Sequence, residues 1–195
     1  MEKFYYQDIF AACPELMKNS DIVFCWPPSN LTSLTRSMLR DIPYTDYVKQ
    51  FFQYIDEIKP EYLYIVVMQS NQNLMLKECL ERFPYVDIDH SYHHNRVGYS
   101  CNVIRCGQST AAPHPKQKCS QETYISWLCK NIEFSQLADF SMRDGSTAFY
   151  AHRYHRDYAG MESRAEKIED TKKRIADWDE MRVKKPIGRP RKVKK

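Results

Sequence analysis

The sequence predicts an α/β domain on a mostly parallel central sheet, with helices on both faces, and three observations carry that expectation. Residues 21–26 and 62–68 are, after Asp21, continuously apolar, as strands buried on both faces are. Residues 46–58 between them carry apolar side chains at helical spacing, and strand, helix, strand in that order is the signature of a helix-covered parallel sheet. The length of 195 residues suits one core, because a chain of this size buries roughly 70% of its unfolded surface.

Each element has its own warrant. The run 21–26 stops at Pro27-Pro28-Ser29-Asn30, which reads as a central strand ending in a rigid loop. In 46–58 the residues Tyr47, Val48, Phe51, Phe52, Ile55 and Ile58 share one helical face, and Pro60 closes the segment. After the strand at 62–68, residues 74–80 read as helix. Two strands, 85–90 and 99–106, follow with no helix between them, so an antiparallel pair at the sheet edge is expected. The alternation then restarts with a helix at 121–131, a short strand at 137–140 and a helix at 146–156 opened by small polar residues. A strand at 158–162 ends in an acid, and 163–178 reads as a charged helix.

Composition narrows the function classes. With 43% hydrophobic and 13% aromatic residues the chain is neither wholly disordered nor a membrane protein. Its longest apolar run, 62–68, falls far short of the roughly 20 residues that span a bilayer. Residues 1–8 lack the basic-then-apolar layout of a secretory signal. Seven cysteines without framework spacing suit a reducing compartment, so a cytoplasmic protein is expected, or a nuclear one in a eukaryotic host. The net charge of +4 conceals an asymmetry: residues 182–195 hold eight Lys or Arg and no acid, leaving 21 basic against 25 acidic residues elsewhere. The expected organisation is a domain at 1–180 and a basic tail at 181–195 that supplies the attraction for an anionic polymer.

Four segments carry chemistry, in this order: Trp26-Pro27-Pro28-Ser29; His114-Pro115-Lys116-Gln117-Lys118-Cys119; Asp139-Phe140-Ser141-Met142-Arg143-Asp144-Gly145-Ser146-Thr147; and Arg156-Asp157-Tyr158-Ala159-Gly160-Met161-Glu162. Together they resemble the amino-group DNA methyltransferases that use S-adenosylmethionine, in the permuted arrangement with the catalytic half first. The likeness covers nearly all of residues 6–178. It implies a Rossmann-like methyltransferase domain, with Trp26, Pro27, Pro28 and Ser29 in the catalytic loop. His114, Lys116, Asp139, Gly145, Ser146 and Glu162 fall at the cofactor positions. Physical chemistry gives independent reasons for some of these. A glycine turn between strand and helix allows close backbone approach, a helix start offers free N–H groups, and an acid about 20 residues on suits ribose hydroxyls. Read without the family pattern, Gly145 is a turn residue and Glu162 a solvated acid at a helix start.

The departures from the family are as informative. Arg143 stands where the first loop glycine belongs, and its side chain projects toward the space of the methionine moiety. Transfer to an exocyclic amine needs oxygen acceptors for the amino protons and an aromatic platform for the base. Trp26 accepts no hydrogen bond and Ser29 does not stack; the bland reading makes Trp26 a core residue and Pro27-Pro28 a stiff turn. Only residues 109–113 occupy the place where family members carry a base-reading segment.

The tail resembles an AT-hook, in which an extended Gly-Arg-Pro core lies in the narrow minor groove of A·T-rich DNA. Lys184, Lys185, Gly188, Arg189, Pro190, Arg191 and Lys192 are its contact candidates, with Arg189 and Arg191 entering the groove and the lysines meeting phosphates. Ile187 replaces the usual arginine before the glycine; the alternative is a solvated basic terminus that binds polyanions generally. His90, His93 and His94 with Cys101 and Cys106 invite a metal reading, yet Cys101 and Cys106 would straddle a sheet, so no metal is expected. The expectation is therefore a DNA-binding pseudoenzyme, an accessory to a catalytic or homologous protein on A·T-rich DNA. The alternative is an active N6-adenine or N4-cytosine methyltransferase using S-adenosylmethionine.

Overall fold

Apolar runs with no polar face need cover on both sides, and the computed structural model, which describes residues 1–29, 42–92 and 100–184, provides it. The strands are β1 (Glu2–Tyr6), β2 (Ile22–Cys25), β3 (Tyr62–Val67), β4 (Tyr85–Tyr92), β5 (Ser100–Gly107), β6 (Gln136–Asp139) and β7 (Asp157–Glu162). The helices are α1 (Tyr44–Ile58), α2 (Gln69–Arg82), α3 (Gln121–Asn131), α4 (Ser146–Arg153) and α5 (Ala165–Lys184), with a 3-10 turn at Glu15–Asn19. The strands form one sheet in the order β1-β7-β6-β2-β3-β5-β4, parallel except where β5 pairs with β3 and β4. The central strand is β2, all four of whose residues are buried.

Side-chain alternation divides the core between the two faces. Val23, Cys25, Leu63, Ile65 and Ala138 pack with α1 and α2, whereas Ile22, Phe24, Tyr64, Val66 and Leu137 pack with α3, α4 and α5. The antiparallel edge pair expected after α2 is present as β4 and β5.

The structure differs from the sequence expectation at several places, among them β1, α2 and α5. β1 is an edge strand that sequence patterning passes over, because it is five residues long, opens on Glu2-Lys3 and finds its partner β7 only across the whole chain. α2 begins at Gln69 rather than 74, because Asn71 Oδ1 accepts the Met68 N–H at 2.9 Å and caps a first turn with no apolar stripe. α5 runs on to Lys184, past the expected helix end at 178. Among the described residues no helix is long and apolar enough to cross a membrane.

Candidate ligand cleft and its closure

The topology dictates where a ligand crevice must lie. β2 leads through α1 to β3 on one side, while β6 leads through α4 to β7 on the other, so the chain diverges beyond the carboxyl ends of β2 and β6. Open α/β sheets bind ligands at such a switch point. Phe24, Trp26, Asp139, Ser141, Arg143 and Ser146 line a cleft there, which retains about 40 Å³ of free space. Pockets that take nucleotide- or drug-sized ligands offer roughly 300–1,000 Å³.

The two strand ends are tied together at the cleft floor. The Trp26 peptide N–H donates to Ser141 Oγ at 2.9 Å, and the Ser141 N–H donates to Asp139 Oδ1 at 2.9 Å. Asp139 is buried, and that burial pushes its carboxyl pKa up to about 6 against the opposing hydrogen bonds from Ser141, Thr147 and Cys25. Burial likewise pushes the neighbouring Cys25 thiol well above its ordinary range.

Arg143 reaches across this cleft. Its backbone sits at φ 52°, in the left-handed region that glycine adopts without penalty. Its guanidinium lies 3.9 Å from the centroid of the Trp26 ring, a cation–π stack across the cleft. Trp26 is half-buried: it packs against the core cluster and also lines the cleft.

The polar groups around β7, α4 and α5 satisfy one another. Glu162 is buried; its Oε2 accepts the Arg143 N–H at 3.1 Å and its Oε1 the Arg164 N–H at 3.2 Å and the Ser163 hydroxyl at 3.3 Å. The Arg164 guanidinium adds an ion pair at 3.6 Å. Ser146 Oγ donates to Glu122 Oε1 at 3.1 Å and accepts from Arg174 of α5 at 3.2 Å, while Arg174 also pairs with Glu122 at 3.5 Å. Gly145, at φ 71°, does permit a close approach, but by protein: a Cβ there would stand 2.1 Å from Thr171 Oγ1 of α5.

The Pro-Pro loop is held from below. The Pro28 carbonyl accepts from the Tyr44 hydroxyl at 2.6 Å and from Asn71 Nδ2 at 3.3 Å, and the Ser29 carbonyl accepts from Ser70 Oγ at 2.7 Å. Tyr44, Ser70 and Asn71, like Glu122, Thr171 and Arg174, are site residues that the sequence reading missed; the run Gln69-Ser70-Asn71-Gln72-Asn73 directly after a buried strand was the available signal.

His114 and Lys116 do not join this cleft. His114 Nδ1 stands 3.4 Å from Asp89 Oδ2 and Lys116 is exposed. Asp139 and Ser146 line the cleft, and Glu162 adjoins it through the Arg143 backbone. Cys101 and Cys106 lie on opposite faces of the sheet, and His90 bonds to Asn102 at 2.8 Å; among the described residues no three potential ligands gather around a metal position. His93, His94 and the tail candidates from Lys185 onward fall outside the described residues.

No protein-family model matches the chain, and no curated protein sequence matches it. Solved structures do. The chain is similar to M1.HpyAVI, at 16% identity over 90% of this chain and 99% of that one, with a TM-score of 0.63. It is similar to TTHA0409 of Thermus thermophilus, described as a putative DNA modification methylase complexed with S-adenosyl-L-methionine, at 12% identity over 91% and 94% with a TM-score of 0.66. It is also similar to the cytosine-N4-specific PvuII DNA methyltransferase, at 10% identity over 90% of each chain with a TM-score of 0.55. The protein has the DNA methyltransferase fold.

Proposed function

We propose that the protein is a non-catalytic member of this fold that acts on DNA as an accessory subunit, with residues 184–192 as an AT-hook-like contact to A·T-rich duplex and 1–180 as the methyltransferase-like body. The observation that carries the reading is the stack of Arg143 on Trp26, which fills the cleft between β2 and β6. An indole N–H donates and never accepts, so Trp26 offers nothing to draw protons from an amino group. The internally bonded Glu162 supports the same conclusion, since a ribose diol would compete with the Arg143 and Arg164 N–H groups for its oxygens.

The residues fit S-adenosylmethionine in part: Asp139 and Glu162 stand at two strand ends where a nucleoside is held in such folds, while Arg143 occupies the space between. That partial fit favours a second reading, an active N6-adenine or N4-cytosine methyltransferase whose Arg143 swings aside. Titration calorimetry with S-adenosylmethionine separates the two. No heat at millimolar ligand is the expected result, and a micromolar dissociation constant would overturn the non-catalytic reading.

A further inference from the structure

Beside the Pro-Pro loop, three polar side chains are locked into a fixed array. Consecutive residues at the start of α2 divide the work: Ser70 and Asn71 hold the loop carbonyls, and Gln72 turns the other way to the β4–β5 pair. Gln72 Oε1 accepts from Asn102 Nδ2 at 2.5 Å, and Asn102 Oδ1 bonds to His90 Nδ1 at 2.8 Å. His90 and Asn102 are directly opposite in the ladder, so their side chains share one face. Further along that face Ile104 and Cys106 belong to the core under α1 and α2, whereas Asn102 is half-buried and His90 exposed.

The chemistry of the array selects its ligand class. Asn102 Oδ1 can only accept, so His90 Nδ1 is the donor and Nε2 is the acceptor position of the imidazole. Gln72 Nε2 keeps two donor hydrogens and Asn102 Nδ2 one, and none of these forms a further hydrogen bond among the described residues. Donors beside an acceptor match the mixed edge of a nucleobase, whereas a phosphate offers acceptors alone. The mutual hydrogen bonds fix the side chains in advance, which lowers the ordering cost of recognition.

We propose that Gln72, His90 and Asn102 form a base-edge reader, giving the body a sequence preference separate from the tail's attraction to A·T-rich DNA. This rests on the DNA-binding reading above.

The test uses the full-length chain. A preferred site is first selected from random duplexes. Binding to that site and to shuffled duplexes of equal A·T content is then compared by fluorescence anisotropy, so that the tail's own preference is constant. Asn102→Ala should reduce the preferred-to-shuffled affinity ratio by about tenfold while leaving the salt slope unchanged. Gln72→Ala, in a helical turn that tolerates alanine, should do the same, and its melting curve guards against misfolding. If the wild type binds DNA but shows no preference at equal A·T content, or if the folded variants keep the full ratio, the reader is refuted and the DNA-binding function stands. Failure of the wild type to bind any duplex overturns both.

Discussion

Replacing Arg143 by glycine tests the cleft directly, and its effects on stability and on binding are separable. An arginine held at φ 52° forgoes about 1–2 kcal/mol that glycine recovers. Against that, the substitution loses the Trp26 stack, about 0.5–2 kcal/mol, and adds roughly 0.4–1 kcal/mol of unfolded-state freedom. These contributions nearly cancel, so the melting temperature should move by no more than about 4 °C for a chain this size. Arg143→Ala removes the same side chain and keeps the left-handed strain, so it should be less stable than the glycine variant by about 1 kcal/mol. For ligand binding, removing a stack of up to about 2 kcal/mol raises affinity by roughly 30-fold. A wild-type dissociation constant for S-adenosylmethionine at or above the millimolar range should thus fall to tens of micromolar in Arg143→Gly. A folded glycine variant that gives no calorimetric signal at millimolar ligand would refute the steric account of Arg143.

Three further outcomes follow from the same geometry and charge. Deleting residues 185–195 removes six Lys or Arg and should abolish most duplex binding together with a salt slope of roughly −4 to −5; Arg189→Ala should cost about 1–3 kcal/mol on A·T-rich duplexes and much less on G·C-rich ones, and equal losses would reduce the tail to a generic polycation. His152 of α4 bridges Glu2 of β1 at 2.8 Å and Asp179 of α5 at 3.0 Å; partial burial opposes its charge, but the two carboxylates outweigh that and raise its pKa. Its stabilising contribution is therefore full below the unfolded pKa of about 6.5 and lost as pH rises through the folded value, so urea midpoints should fall from pH 6 to pH 8.5 in the wild type and less so in His152→Gln. Gly145→Ala, which forces a Cβ onto Thr171 at φ 71°, should destabilise the fold by about 1–3 kcal/mol in chemical denaturation; an unchanged midpoint would show that α5 yields easily.

Much of the sheet was legible because burial leaves a one-dimensional trace. Residues 62–67 are apolar at every position, and so they read as the buried strand β3 wherever the chain goes next. β1 left no such trace, since Glu2 and Lys3 sit in a ladder whose partner, Tyr158 onward, is supplied by the far end of the chain. At the site, residue type was legible and residue role was not. Gly145 announces a close approach, but nothing in its neighbourhood tells whether a nucleoside or Thr171, 26 positions on, makes it. Arg143 announces an obstruction, whereas its stacking partner Trp26 lies across the sheet's switch point, a distance no local pattern spans.

The affinity arithmetic assigns α5 a part in the closure. Moving a ligand from micromolar to millimolar affinity takes about 4 kcal/mol, and the Arg143 stack supplies at most about half of that. The remainder must come from interactions that a bound nucleoside would disturb elsewhere in the cleft. Those on hand are the Glu162 hydrogen bonds, the contact of Thr171 with Gly145, and the reach of Arg174 to Glu122 and Ser146. The latter two belong to α5, the helix from which the basic tail departs. Opening the cleft fully therefore requires moving the helix that precedes the proposed DNA contact. Arg174→Ala combined with Arg143→Gly should accordingly bind S-adenosylmethionine more tightly than Arg143→Gly alone, and equal affinities in the two variants would remove α5 from the account.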